Sequence, residues 1–196
     1  MIFNLNEKIN EIHSRPSDIN EHIPVLIKYG QQCESITEMG VRGICSTWAW
    51  LACNPKDGLH SYDIHNPSKF GGDLQSVIDT AEAYKIKFQF TEASVLDIDI
   101  EPTDLLFLDT WHCYDQLKAE LARHHKQVKK YIVFHDTTTY AHNNEPTTSE
   151  HAFTGNITEG KGLWNAIEEF IDKHKNEWVL IERYFNNNGL TIIKRK

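Results

Sequence analysis

The chain has 196 residues, of which 40% are hydrophobic and 24% are charged. This composition can build a packed core in one domain and excludes wholesale disorder. A formal net charge of −8 at pH 7 argues against a nucleic-acid partner, because duplex binders need a basic surface. No run approaches the roughly 20 apolar residues that span a bilayer, and the N-terminus lacks the basic and apolar regions of a signal peptide. We therefore expect one cytoplasmic domain over residues 1–196, with no membrane partner.

The four cysteines form no C-x-x-C pair; they are Cys33, Cys45, Cys53 and Cys113. This spacing is typical neither of a zinc site nor of a disulfide scaffold. Reduced thiols agree with the expected cytoplasmic location.

Apolar runs alternate with amphipathic stretches, which predicts an α/β fold with a largely parallel sheet and helices on both faces. Residues 1–34 are predicted to be helical, with a helix over 17–29 that Ser17 or Asp18 caps and Pro24 kinks or delays. Five strands are predicted at 35–40, 59–63, 87–90, 105–109 and 131–134. Helices are predicted at 46–53, 72–84, 115–126 and 163–174. Two final strands, 178–185 and 190–194, flank an Asn-Asn-Asn-Gly hairpin signal.

Residues 137–160 are mostly polar and too long for an ordinary connection. Because this stretch follows directly on the end of a strand, we interpret it as a lid loop. Its histidines, His142 and His151, are interpreted as solvated side chains.

The loop after the first strand contains Glu38, Gly40 and Gly43. Glycines allow a ligand to approach the backbone closely, and the following helix offers free N–H groups. Asp63 ends the second strand 20 residues after Gly43, a spacing at which an acid reaches ribose hydroxyls. The alternative role for Asp63 is to cap the turn before Asn66.

Glu38 stands at the first position of the dinucleotide fingerprint, where a pyrophosphate would meet its carboxylate. The loop therefore favours a cationic ligand without phosphate, S-adenosylmethionine, over NAD. An NAD- or nucleotide-binding Rossmann-type enzyme remains the alternative within the same fold.

Three segments carry a resemblance to a known family: E-M-G-V-R-G-I-C-S-T (38–47), L-F-L-D-T-W-H-C-Y (106–114) and I-V-F-H-D (132–136). With these motifs the chain resembles the class I S-adenosylmethionine-dependent methyltransferases, and among them the cephalosporin-hydroxylase-like and macrocin-type O-methyltransferases. The resemblance implies a Rossmann-like fold whose seven-stranded sheet has an antiparallel last strand. It also implies cofactor contacts from Glu38, Gly40, Arg42, Gly43, Ser46, Asp63, Glu92, Ala93, Ser94 and Asp109.

Asp109 and Asp136 end neighbouring predicted strands, each beside a histidine, His112 or His135. Two carboxylates with imidazole suit a hard or borderline divalent cation. The relatives hold Mg²⁺ with acids at these strand ends, so the resemblance implies metal ligation by Asp109, His135 and Asp136. His135 stands where the relatives often carry an acid, which leaves open a metal-free site with a histidine base. The alternatives are purely structural roles: His135 would be a buried core residue, and Asp136 would cap the turn that follows it.

The candidate catalytic residues are His112, His135 and Asp109. Methyl transfer requires alignment and removal of a proton from the acceptor. Histidine, with an ordinary pKa near ~6.5, suits that base role near neutral pH, and we place His112 before His135. Trp111, Tyr114 and Tyr140 are candidates for the wall of the acceptor pocket.

The sequence thus predicts an S-adenosylmethionine-dependent O-methyltransferase of a small hydroxylated acceptor, such as a sugar or glycan precursor. Mg²⁺ or another divalent cation is a candidate second cofactor, and an oligomer is left open. A non-catalytic S-adenosylmethionine-binding module is the alternative from another functional class.

Overall fold

The computed structural model describes residues 1–148 and 153–196. These residues contain seven strands in one sheet of order β3-β2-β1-β4-β5-β7-β6. The strands are β1 (Ser35–Met39), β2 (Gly58–Asp63), β3 (Phe88–Glu92), β4 (Thr103–Leu108), β5 (Val128–His135), β6 (Trp178–Tyr184) and β7 (Leu190–Arg195). Strands β1 to β5 pair in parallel, and β7 runs antiparallel to both β5 and β6. The predicted α/β class and the antiparallel C-terminal hairpin are confirmed.

Helices cover both faces of the sheet, as predicted. They are α1 (Leu5–Ser14), α2 (Ile23–Gly30), α3 (Cys45–Ala52), α4 (Leu74–Tyr84), α5 (Tyr114–His124) and α6 (Leu163–Lys173). Apolar side chains of α1 to α4 pack in one buried cluster, and those of α5 and α6 pack in the other. Strand β4 supplies both layers, since Leu105 faces the first cluster and Leu106 the second.

The N-terminal segment differs from its prediction in detail. A separate helix, α1, begins after Asn4, whose side chain accepts a hydrogen bond from the Glu7 N–H. Helix α2 begins only at Ile23, with Pro24 in its first turn, because proline needs no N–H partner there. The delayed start predicted from Pro24 is confirmed, and the capping role of Ser17 or Asp18 is wrong.

The strand order creates a crevice at the carboxyl ends of β1 and β4. From β1 the chain adds β2 and β3 on one side, then crosses to place β4 on the other. Ligands of open α/β sheets bind at such a reversal of strand order. Within the described residues, no helix is long and apolar enough to cross a membrane.

Candidate active site

A cavity of about 310 Å³ lies at the carboxyl ends of the parallel strands, within the size range of small-molecule sites. The predicted site residues that line it are Gly40, Arg42, Asp63, Ala93, Ser94, Asp109, His112 and Asp136. The predicted residues outside its lining are Glu38, Gly43, Ser46, Glu92 and His135. The structure thus brings two groups of predicted residues into one cavity. We call the part near Gly40, Asp63 and Ser94 the cofactor end, and the part near Asp109, His112 and Asp136 the reaction end.

Gly40 is required by the close approach of two loops. Its φ is +88°, and a Cβ added there would lie 2.0 Å from the carbonyl oxygen of Asp109. The Asp109 N–H in turn donates to the carbonyl of Met39 at 2.8 Å. The backbone after β1 therefore rests directly on the backbone after β4, which only glycine permits.

Asp63 binds the backbone of the loop after β1. Its Oδ2 accepts hydrogen bonds from the N–H groups of Val41 (2.8 Å) and Arg42 (2.9 Å), and its Oδ1 accepts from His65 N–H at 2.9 Å. These loop N–H groups are the kind that hold a phosphate in nucleotide-binding loops. Here a carboxylate of the chain occupies them, and the same carboxylate lines the cavity.

Glu38 lies behind the loop, fully buried in β1. Its carboxylate accepts hydrogen bonds from the hydroxyls of Ser46 (2.6 Å), Thr47 (2.9 Å) and Ser61 (2.6 Å). Burial raises the pKa of Glu38 to about 7, against the opposing effect of the three hydroxyls. Glu38 thus joins β1, β2 and the first turn of α3 through these hydroxyls. It does not line the cavity.

The end of the cavity beyond Asp63 is largely apolar. Tyr62, Ile64, Phe70, Val95 and Leu96 line it, beside Ala93 and Ser94 of the predicted turn. Ile64, Val95 and Leu96 were missed from the sequence, because a single apolar residue in a loop has no periodicity to identify it.

The reaction end contains Asp109 and Asp136 at the ends of the paired strands β4 and β5. His135 lies beneath them with its side chain 1% exposed, and its Nδ1 is 3.2 Å from an oxygen of each carboxylate. Its Nε2 is 3.1 Å from the carbonyl oxygen of Asp18. Because both ring nitrogens face acceptors, His135 donates from both and is an imidazolium.

Of the two histidines beside Asp109 and Asp136, His112 is the one that lines the cavity. Its Nε2 is 2.8 Å from Asp136 Oδ2 and 3.5 Å from Asp109 Oδ1, and its Nδ1 is 2.9 Å from Glu145 Oε2. The Tyr140 ring stacks on the imidazole at 4.7 Å between centroids, with an interplanar angle of 3°. His112 is therefore held by a carboxylate at each nitrogen and by an aromatic face.

These contacts change the expected acid–base behaviour. Burial by itself lowers the pKa of His112, but hydrogen bonds to Asp109, Asp136 and Glu145 raise it well above 6.5. Burial opposes the charged form of His135 as well, yet Asp109 and Asp136 raise its pKa to about 10. The pKa values of Asp109 and Asp136 are correspondingly lowered by the two imidazoliums, despite burial. The premise of a histidine base with an ordinary pKa does not hold without a bound cation, since both rings are then protonated at neutral pH. A cation bound at His112 Nε2 would take the place of the proton on that nitrogen.

A divalent cation fits the donors on the cavity side. One ligand atom each from Asp109, His112 and Asp136 lies within 4.8 Å of the others. Asp136 Oδ1 is buried without a hydrogen-bond partner among the described residues, as an oxygen intended for an ion would be. The mixed oxygen and nitrogen donor set suits Mg²⁺ or Mn²⁺. The structure groups His112 with the two acids, in place of the predicted His135, because His112 lines the cavity whereas His135 is buried beneath it.

In the described parts of the loop 137–160, Glu145 lines this end of the cavity and Tyr140 stacks on His112. Glu145 was missed from the sequence, because one acid in a long polar loop gives no positional signal. Of the loop histidines, His142 is exposed, and His151 lies outside the described residues. Trp111 lines the cavity, as predicted for a pocket wall.

Solved structures provide the comparison with known proteins. An O-methyltransferase from Bacillus cereus, in complex with SAH, matches with a TM-score of 0.60 at 12% identity, over 98% of this chain and 90% of that one. The chain has the methyltransferase fold. The O-methyltransferase TomG from Streptomyces achromogenes, in complex with SAM, matches with a TM-score of 0.56 at 14% identity, over 100% and 91% of the two chains. An SAH-bound methyltransferase from Podospora anserina matches with a TM-score of 0.57 at 14% identity, over 98% and 87%.

No model of a known protein family matches this sequence, and no curated protein matches it. At identities this low, the likeness establishes the methyltransferase fold. The Rossmann-like methyltransferase architecture expected from the sequence motifs is therefore confirmed, while the activity is argued from the site.

Proposed function

We propose that this protein is an S-adenosylmethionine-dependent O-methyltransferase of a small hydroxylated acceptor. The observation that carries the proposal is the composition of the cavity at the carboxyl ends of the parallel strands. A carboxylate-bound loop and an apolar slot occupy one end, and an acid–histidine cluster that suits a cation occupies the other.

The cofactor end suits an adenosine without phosphate. Asp63 lines the cavity while it holds the loop and would accept hydrogen bonds from ribose hydroxyls, and Tyr62, Ile64 and Leu96 would offer apolar surface to a purine. S-adenosylmethionine, when bound, supplies a methyl group activated by a positive sulfonium. Glu38, Gly43, Ser46 and Glu92, predicted as contacts, lie outside the cavity lining.

The carboxylate of Asp63 also disfavours the NAD alternative. A pyrophosphate at this loop would meet the charge of Asp63, with Glu38 buried close behind it. A positively charged ligand that has no phosphate avoids this electrostatic repulsion.

At the reaction end, Asp109, His112 and Asp136 would hold the divalent cation. When bound, Mg²⁺ or Mn²⁺ supplies Lewis acidity that lowers the pKa of an acceptor hydroxyl. His135 neutralises part of the charge of the two acids from below and orients both through its Nδ1. Trp111 and Glu145 line the cavity on the acceptor side. An aromatic face beside a carboxylate that accepts from hydroxyl groups suits a polyol such as a sugar or glycan precursor.

Segment 140–145 lies over His112, and this supports a lid role for the loop 137–160. The backbone N–H of Glu145 donates to the carbonyl of His112 at 2.9 Å, so this part of the loop covers the reaction end. A covered site excludes water from the activated cofactor.

Binding and transfer assays test this function directly. We expect calorimetry to detect S-adenosylhomocysteine and not NAD, and radiolabelled S-adenosylmethionine to label members of a sugar and catechol panel in the presence of Mg²⁺. EDTA should abolish the transfer, and Asp109→Asn should reduce it strongly, while the matched surface variant Asp172→Asn retains it.

Each contrary result has a separate meaning. Binding of NAD in place of S-adenosylhomocysteine would refute the proposal. Full methyl transfer in the presence of EDTA would refute only the requirement for a divalent cation. Cofactor binding without transfer to any acceptor would favour the non-catalytic module.

A further inference from the structure

Glu145 makes a reciprocal contact with His112 that the proposed function does not yet explain. Its backbone N–H donates to the His112 carbonyl at 2.9 Å, and its Oε2 accepts from His112 Nδ1 at 2.9 Å. The same oxygen is 3.4 Å from the His112 backbone N–H. Glu145 therefore holds both the main chain and the ring of His112.

The neighbours of Glu145 reinforce this contact. Tyr140 stacks on the His112 ring, and Asn144 Oδ1 accepts from the Tyr114 N–H at 2.8 Å. Segment 140–145 thus fixes the His112 ring through the stacked Tyr140 and through the Glu145 carboxylate at Nδ1. The other ring nitrogen, Nε2, is directed at Asp109 and Asp136.

We propose that Glu145 is a positioning residue that selects Nε2 of His112 as the metal-binding nitrogen. This inference rests on the proposed divalent cation. A carboxylate that accepts from Nδ1–H fixes the tautomer whose lone pair is on Nε2, fixes the ring orientation and increases the basicity of the ligand nitrogen. Because Glu145 comes from the loop 137–160, the metal site is complete only when this part of the loop is in place.

Calorimetric titration with Mn²⁺ tests the role of Glu145 without any turnover. We expect Glu145→Ala to weaken Mn²⁺ binding by roughly 10–100-fold, as loss of a supporting carboxylate does. Glu145→Gln should lose less, since its amide oxygen still accepts from Nδ1–H without the charge. Glu159→Gln, an exposed acid of the same loop, is the matched control and should bind Mn²⁺ as the unmodified protein does.

A second measurement separates positioning from folding. In the Mg²⁺-saturated protein, ¹⁵N shifts of the imidazoles should show His112 protonated at Nδ1 and bound through Nε2. Glu145→Ala should mix the two tautomers while its thermal midpoint stays close to that of the control.

The outcomes distinguish this inference from the proposed function. Equal Mn²⁺ affinity in all Glu145 variants, with loss in Asp109→Asn, would overturn the role of Glu145 and leave the metal site intact. An equal loss of Mn²⁺ affinity in Glu159→Gln would show that any negative charge on the loop has the same effect, and this would also overturn the role of Glu145. Failure of the unmodified protein to bind Mn²⁺ or Mg²⁺ would overturn both.

Discussion

Asp63 has two neighbours that compete for one carboxylate, the loop backbone and the proposed ribose. Hydrogen bonds to a charged acceptor contribute roughly 1.5–3 kcal/mol each. Asp63→Asn removes the charge while it keeps the side-chain volume. We therefore expect the affinity for S-adenosylhomocysteine to fall by roughly tenfold or more, about 1.4 kcal/mol per factor of ten.

Calorimetry of a folded Asp63→Asn variant checks this prediction, with Asp172→Asn on the exposed face of α6 as the control. Unchanged affinity would remove Asp63 from the cofactor site and leave it a role in the loop alone.

The two glycines of the loop after β1 differ in a way that stability measurements can detect. At Gly40 a Cβ would overlap the Asp109 carbonyl at a φ of +88°, whereas a Cβ at Gly43 would meet nothing within 4 Å. We expect Gly40→Ala to destabilise the fold by roughly 2–4 kcal/mol, and Gly43→Ala to change stability by no more than about 0.5 kcal/mol. Urea unfolding of both variants checks this pair. Similar midpoints would contradict the close backbone approach.

The two histidines show where residue-level prediction fails. Their positions beside Asp109 and Asp136 follow from the sequence, because strand ends of a parallel sheet meet at one edge. Their protonation does not follow, since it depends on Glu145 and the Asp18 carbonyl, which are distant in the chain. A base with a pKa near its ordinary value is therefore the inference that the sequence could not support.

At the scale of elements, Glu38 connects β1, β2 and α3 through three hydroxyls. Burial raises its pKa from 4.5 to about 7, so between these pH values the folded state binds more protons than the unfolded state. Stability from this group is therefore greatest at low pH and falls as the pH rises from about 4.5 through 7. The loss reaches on the order of 3 kcal/mol, at about 1.4 kcal/mol per pKa unit.

Glu38→Gln should flatten that part of the pH–stability profile, because glutamine does not titrate. Chemical unfolding at intervals from pH 4.5 to 8 measures the difference between the two proteins, in which the contributions of other titrating groups cancel. A parallel pair of profiles would contradict the raised pKa.

Most elements are predictable from the sequence, for identifiable reasons. Strands β4 and β5 contain the apolar runs 105–108 and 131–134, which are buried on both faces and end in polar residues at the site. Within the predicted helical segment 1–34, the separate bounds of α1 were not predicted even though Leu5, Ile9 and Ile12 recur at helical spacing, because the polar residues between them obscure a narrow apolar stripe. The path of the loop 137–160 was beyond prediction, since side-chain contacts with α5 and its preceding turn direct it.

At the scale of the whole molecule, residues 17–21 contact the β6–β7 turn, which lies more than 160 positions later in the chain. The side chain of Asn187, in the β6–β7 turn, accepts from the Glu21 N–H at 3.0 Å and donates to the Ser17 carbonyl at 2.8 Å. The same N-terminal segment presents the Asp18 carbonyl to His135. The position of His135 thus depends on contacts between residues more than 160 apart.

Replacement of Asn187 by glycine isolates these contacts, since the residue has a φ of +46° that glycine adopts without strain. We expect Asn187→Gly to increase amide hydrogen exchange in residues 17–22, because their side-chain partner is lost. Asn54→Gly, at a φ of +52°, is the matched control and should leave exchange in that segment unchanged. Equal exchange in both variants would show that the segment is held by other contacts.

The main-chain contact between Gly40 and Asp109 means that backbone atoms fix the spacing between the loop after β1 and the loop after β4. In the proposed reaction these backbones would set the distance between cofactor and acceptor, while a separate loop would contribute the wall that faces the acceptor. Exchange of that loop for another sequence would alter the molecule that is recognised and leave the alignment in place. Such a scaffold lends itself to the redesign of acceptor specificity by transplanting one segment.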